Sequence, residues 1–105
     1  MKLLSITEQM YLTAILCLRE EAYGVKIREK VIDLTGKSMV FGTLYNNLDQ
    51  LVRKGYVETR QSFGDVQNDS KKVFYSVTGE GKEALKKSKE IQESLWSALP
   101  KKVLT

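Results

Sequence analysis

Hydrophobic positions change their period along the chain, and the changes mark out its elements. In ITEQMYLTAILCLREE, from residue 6, apolar side chains (Met10, Leu12, Ile15, Leu16) lie on several sides. This density predicts a first helix buried on more than one face, with a subunit contact as one way of covering the remainder. Its start is spelled twice: Thr7 as N-cap with Ile6 and Tyr11 as a hydrophobic staple, or Ser5 with Glu8 as a capping box. A second helix follows in YGVKIREKVIDLTG, with Val25, Ile27, Val31, Ile32 and Leu34 on an apolar side, Lys26, Arg28 and Lys30 on a basic one, and Gly36 as the stop. Residues 39–54 predict a third helix, because Val40, Phe41, Leu44, Leu48, Leu51 and Val52 share one arc at 100° per residue. Opposite that arc stand Gly42, Thr43, Asn46, Asp49, Gln50 and Arg53, with Tyr45 on the border.

After Gly55 the period drops to two. YVETRQ and KKVFYSV alternate as half-buried strands and enclose a loop containing Gly64, Asp65, Asn68, Asp69 and Ser70, which predicts a hairpin with a locally acidic tip. From Thr78, an expected N-cap, a last helix runs to Pro100 with Ala84, Ser88, Ile91, Leu95 and Ala98 spaced by fours and threes. Leu85, Gln92, Trp96 and Leu99 flank this seam, while Lys82, Lys86, Lys87, Lys89, Glu90 and Glu93 occupy the other face. So one-sided a helix calls for a partner, and Leu85, Ile91, Leu95, Trp96 and Leu99 are the expected homodimer contacts. The order of elements gives a mainly helical α+β fold, a winged helix-turn-helix over residues 1–77, followed by a dimerisation helix and tail over 78–105.

Composition narrows the chemistry. Seventeen Lys and Arg against thirteen Asp and Glu leave a net charge of +4 in 105 residues, a mild bias toward polyanions. No apolar run is long enough to cross a bilayer, and Met1-Lys2-Leu3-Leu4 lacks the apolar core of a secretory leader, so the cytoplasm is the expected location. Histidine is absent, and the lone Cys17 sits in an apolar helical stretch where a buried structural thiol is expected. With the carboxylates scattered, neither an enzyme nor a metal or cofactor site is expected.

In a winged helix-turn-helix the third helix enters the DNA major groove. Asn and Gln both donate to and accept from base edges, so Asn46, Asn47 and Gln50 suit adenine, and Thr43 adds a hydroxyl and a methyl. Gly42 lets the helix N-terminus approach a phosphate. Amides discriminate between sequences, whereas anchoring falls to cations: Lys71, Lys72 and Arg60 at the wing base, Arg53 and Lys54 at the helix end, and Lys37 before it. Asp49 is expected to pair with Arg53 four residues on. Tyr45 has two compatible readings, a ring on the core edge and a hydroxyl on a phosphate.

AYGVKI, then GTLYNNLDQLVRKGYV, then VFYSVTGEGKEAL together resemble the PadR family of bacterial transcriptional regulators over roughly residues 7–85. The resemblance implies a winged-helix, repressor-like homodimer on double-stranded DNA, joined through its C-terminal helix. It also implies the compact subgroup, in which a cavity between subunits can take a planar drug or phenolic effector. Trp96 is then either a contact for such a ligand or, more simply, a filler of the dimer interface. The chain departs from the family pattern at Val40, where a polar cap is usual, at Gln50, where a basic residue is usual, and at Asp69-Ser70-Lys71, where Gly-Gly-basic is usual. A winged-helix module that binds protein instead of DNA, or a ligand carrier built on the Trp96 surface, are the competing readings.

Overall fold

The computed structural model describes residues 3–63 and 71–104. The chain folds as α1 (Ile6–Leu18), a single 3₁₀ turn (Arg19–Glu21), α2 (Gly24–Thr35), α3 (Phe41–Arg53), the antiparallel strands β1 (Val57–Phe63) and β2 (Lys71–Val77), then α4 (Gly79–Ala98) and a short α5 (Lys101–Leu104). Strand register runs from Val57 opposite Val77 to Phe63 opposite Lys71. The wing-tip residues Gly64, Asp65, Asn68, Asp69 and Ser70 lie outside the described residues.

Local chemistry accounts for the boundaries. Of the two possible starts of α1, the capping box forms: Glu8 N–H donates to Ser5 Oγ at 3.1 Å and Ser5 N–H to Glu8 Oε1 at 2.8 Å. Helix α3 closes in a Schellman arrangement, with Tyr56 N–H on Leu51 O and Gly55 N–H on Val52 O, each at 3.0 Å. This requires the left-handed backbone at Gly55 (φ 81°) that glycine adopts without strain. Thr78 then serves both neighbours, donating from Oγ1 to Gly55 O at 2.6 Å and accepting Gly81 N–H at 3.1 Å. At Gly81 a Cβ would meet the Tyr56 carbonyl and come within 2.7 Å of Val77 Cγ1, so the Thr-x-x-Gly run is the joint by which α4 closes on the wing.

The core gathers Tyr11, Leu12, Ala14 and Ile15 of α1, Ile27 and Val31 of α2, Leu44, Leu48 and Leu51 of α3, and Val57 and Val77 of the hairpin. Several apolar residues expected inside are outside. Val25, Leu34, Val40 and Phe41 are exposed, because each belongs to a helix end or flank that runs past the packed centre. Cys17 is also exposed, correcting the expected buried thiol: it lies about 200° around α1 from the buried Ile15, on the uncovered side. Helix α3 begins at Phe41 rather than 39, with Val40 in the N-cap position and no side-chain bond there.

The hairpin gains an extra pairing that strand alternation does not reveal. Tyr23 bridges to Phe74, and Tyr75 N–H donates to Ala22 O at 2.8 Å, tying β2 to the start of α2.

Candidate nucleic-acid interface

Helix α3 buries Leu44, Leu48 and Leu51, and this fixes which side chains it presents outward. Gly42, Thr43, Asn46, Asp49, Gln50 and Arg53 are all exposed, so the amide-bearing face expected from the spacing exists as one surface. A Cβ at Gly42 would meet nothing within 4 Å. The glycine therefore answers to no packing demand inside the protein and leaves the first turn of α3 open. Asp49 and Arg53 are paired at 3.9 Å, both well exposed, a weak contact that neutralises the one carboxylate on this face.

Two side chains placed on this interface by sequence are engaged within the protein. Asn47 is half-buried and its Nδ2 donates to Tyr11 Oη at 3.0 Å, so it stands between α1 and α3 rather than on the open face. The spacing contains this result, since Asn47 is only about 40° around the helix from Leu51. Lys54 Nζ donates to Glu8 Oε2 at 2.7 Å, and that carboxylate side chain is only 17% exposed. Burial works against the charge on Glu8, but the Lys54 bond, the Ser5 N–H bond and the Lys54 charge outweigh it and hold the carboxyl below its usual range. Lys54 is raised in return, through the Glu8 bond and charge. This pair docks the α3 C-terminus on α1. A cleft of about 400 Å³ between the two helices is lined by Ser5, Thr7, Glu8, Tyr11, Asn47, Gln50, Leu51 and Lys54.

At the wing base the cations lie on aromatic rings. The Arg60 guanidinium lies 4.9 Å from the Phe74 centroid, and Lys72 Nζ lies 4.5 Å from that of Tyr23. The two rings meet edge to face at 5.6 Å. Cation–π attraction thus holds two positive charges at set positions on one face of the wing base, Arg60 beside Arg19 and Glu20 of the 3₁₀ turn, while leaving both side chains exposed. Lys71 pairs with Phe63 at the open end of the hairpin, and the role given to its side chain lies outside the described residues. Burial raises the Tyr75 hydroxyl above its usual range, with Tyr45 and Asp49 of α3 adding to the shift.

Tyr45 takes up the first of its two readings. Its ring lies across Gly24, where a Cβ would meet the phenol oxygen and come within 2.7 Å of Cζ, while the residue remains 46% exposed. The glycine of AYGVKI and the tyrosine of GTLY are therefore one contact. Sequence reading did not single out Tyr23 and Phe74, whose pairing spans the chain, or Arg28, which reaches across to the loop before α3.

Helix α4 divides its seam in two. Its first half is used within the chain: Ala84 and Leu85 pack on the core, Ser88 is buried with Leu4 N–H on its Oγ at 3.3 Å, and Gln92 Nε2 donates to Gln9 Oε1 at 3.1 Å. Ile91 is half-buried, whereas Leu95 (64% exposed), Trp96 (60%) and Leu99 stand free, followed by Val103 of α5. Along the first half of α4 an open groove of about 460 Å³ runs between α1 and α4, lined by Gln9, Thr13, Leu16, Leu85, Lys86 and Gln92 among others. Among the described residues no cluster of His, Cys, Asp and Glu could hold a metal, and no helix is long and apolar enough to cross a membrane.

Comparison with known proteins agrees with this geometry. The model of the transcriptional regulator PadR-like family matches residues 13–87, which includes all of α2, α3 and the hairpin. RosR of H. salinarum is 31% identical with a TM-score of 0.68, the match covering 93% of this chain and 82% of that one. The complex structure of hsRosR-S4 is likewise 31% identical, with a TM-score of 0.67 and coverage of 93% and 78%. A PadR family transcription regulator from Clostridium difficile R20291 shares the fold at a TM-score of 0.70 and 20% identity, over 93% of this chain and 98% of its own. Among curated proteins none matches. The family match over most of the chain, on a winged helix whose third helix turns an amide face outward, establishes that this protein belongs to the PadR-like family of transcriptional regulators.

Proposed function

We propose that the protein is a cytoplasmic, sequence-specific repressor that binds double-stranded DNA as a homodimer on an inverted repeat. The observation that carries this reading is the face of α3: Thr43, Asn46 and Gln50 exposed on a helix whose opposite side is locked into the core. Amides and a hydroxyl there meet base edges in the major groove, and Gly42 brings the helix N-terminus close to a phosphate. Arg53, Lys72, Arg60 and Lys37 supply sequence-independent phosphate contacts, with Lys71 continuing that set at the wing. Asn47 orients α3 through Tyr11 rather than reading a base.

The second chain is called for by the free half of α4. Fully burying a Leu or Val side chain, or a larger ring, contributes about 1.5–3 kcal/mol, and Leu95, Trp96, Leu99 and Val103 are all exposed at the C-terminal end of the chain. A two-fold arrangement of these helices places the two copies of α3 on half-sites about 10 base pairs apart or a small multiple of that. A planar aromatic effector seated against Trp96 between subunits changes this spacing and releases the DNA.

The test is competition between a selected operator and scrambled duplex of the same length. Asn46→Ala is expected to lower the preference for operator by about tenfold, the scale of one bidentate base contact. Lys72→Ala is expected to weaken both duplexes alike. Equal losses on the two duplexes for Asn46→Ala would contradict the assignment of that face.

A further inference from the structure

The start of α3 poses a problem that its own residues do not solve. Val40 has the extended backbone of an N-cap (φ −74°, ψ 157°) but no side-chain acceptor, and nothing acidic stands in the first turn. A missing cap costs a helix about 1 kcal/mol, and here the helix concerned is the one that carries the reading face. What holds this start in place comes from α2 and acts on the chain just before the helix, not on the free N–H groups. Arg28 Nε donates to Met39 O at 2.7 Å, its Nη2 donates to Ser38 Oγ at 3.1 Å, and its guanidinium lies 5.1 Å from the centroid of the Phe41 ring. One side chain therefore grips the three residues 38, 39 and 41 around the unguarded cap.

Phe41 in turn stacks on Tyr45 at 6.4 Å and 25° between planes, and Tyr45 lies across Gly24. Gly24 and Arg28 are four apart on α2, and Phe41 and Tyr45 are four apart on α3, so each pair lines one side of its helix. The two helices thus meet through two rungs, Gly24 with Tyr45 and Arg28 with Phe41, outside the core built by Leu44, Leu48 and Leu51. This also explains why Phe41 is exposed although its arc position matches the core.

We infer that Arg28 is a positioning residue for DNA recognition: it leaves the first N–H groups of α3 uncapped but anchors residues 38, 39 and 41, and by fixing the entry of α3 it sets where Thr43 and Asn46 meet the bases, without touching DNA itself. The affinity part of this inference rests on the DNA-reading proposal, whereas the helix-start part does not.

The test compares Arg28→Ala, Arg28→Lys and Arg28→Ala with Val40→Ser. The first readout is exchange of the Leu44 amide, which donates to Val40 O at 3.1 Å. The second is the preference for a selected operator over scrambled duplex, and the third is its salt dependence. Arg28→Ala is expected to speed Leu44 exchange and to lower the preference about tenfold, the scale of a charge-assisted hydrogen bond, at an unchanged salt slope. Arg28→Lys, which keeps a cation but not the fork, is expected to recover only part of the loss. Val40→Ser in the Arg28→Ala background supplies a cap for Thr43 N–H and is expected to restore both Leu44 protection and discrimination. Unchanged Leu44 exchange in Arg28→Ala would overturn the inference. So would a slope reduced by about 0.9, which marks a lost phosphate contact, or a double variant whose helix start recovers while its discrimination stays lost. If the unaltered protein fails to discriminate between duplexes, the DNA-reading proposal falls and Leu44 exchange alone still decides what Arg28 does.

Discussion

Three glycines of this chain have different obligations, and each gives a different expected outcome on substitution by alanine. At Gly81 the added Cβ runs into the Tyr56 backbone carbonyl and Val77, neither of which can swing away, so a loss of about 3 kcal/mol is expected. At Gly24 the obstacle is the far end of the half-exposed Tyr45 ring, which can move, so about 1 kcal/mol is expected, abolished in a Tyr45→Ala background. At Gly42 nothing stands in the way, and alanine is expected to raise stability by about 0.5 kcal/mol while weakening DNA binding through loss of close backbone approach. Urea unfolding of the three variants checks the order, and duplex binding by Gly42→Ala checks the trade.

Also at residue scale, the Glu8–Lys54 pair makes stability depend on pH in a defined sense. The carboxyl of Glu8 is lowered on folding, so its contribution is full above the unfolded carboxyl range and is lost as pH falls through the lower folded value. Lys54 is raised, so its contribution is lost only as pH climbs past the usual lysine range. Glu8→Gln is therefore expected to flatten the acid limb of the stability profile, at a cost at neutral pH of about 1 kcal/mol. An unaltered acid limb in Glu8→Gln would show that this pair does not contribute to acid stability.

At the scale of elements, α3 was the most legible part of the chain, because Leu44, Leu48 and Leu51 at helical spacing leave one opposite face, and that face is exposed as expected. The same periodicity misplaced Phe41 and Val40, since an arc says which side of a helix faces the core but not how far along the helix the core extends. Asn47 and Lys54 were assigned outward roles on chemistry, whereas both lie close enough to the Leu51 side for α1 to claim them. The wing base was legible as paired strands and as a set of cations. Their seating on Tyr23 and Phe74 was not, because it depends on a bridge between residues far apart in sequence. Tyr23→Leu is expected to preserve the fold while lowering affinity for operator and scrambled duplex alike by a few-fold, as Lys72 loses its support. A selective loss on operator alone would mean that Tyr23 contributes to sequence reading.

The whole molecule is elongated, measuring 59 × 27 × 21 Å with a radius of gyration of 15.9 Å, against about 13 Å for a compact domain of this length. The excess length is consistent with α4 and α5 extending beyond the core and carrying Leu95, Trp96, Leu99 and Val103 into the open. Leu95→Arg is expected to leave the winged helix folded and to shift the protein to monomer in sedimentation equilibrium, with operator affinity falling by at least tenfold as the two half-sites uncouple. For the proposed dimer the decisive property is that two copies of the α3 face read a symmetric sequence. Selection of random duplex DNA on the purified protein at near-physiological salt, followed by sequencing of the retained molecules, tests it most directly. Enrichment of an inverted repeat with half-sites one or a few helical turns apart is the result expected. Retention without enrichment of any sequence would contradict it.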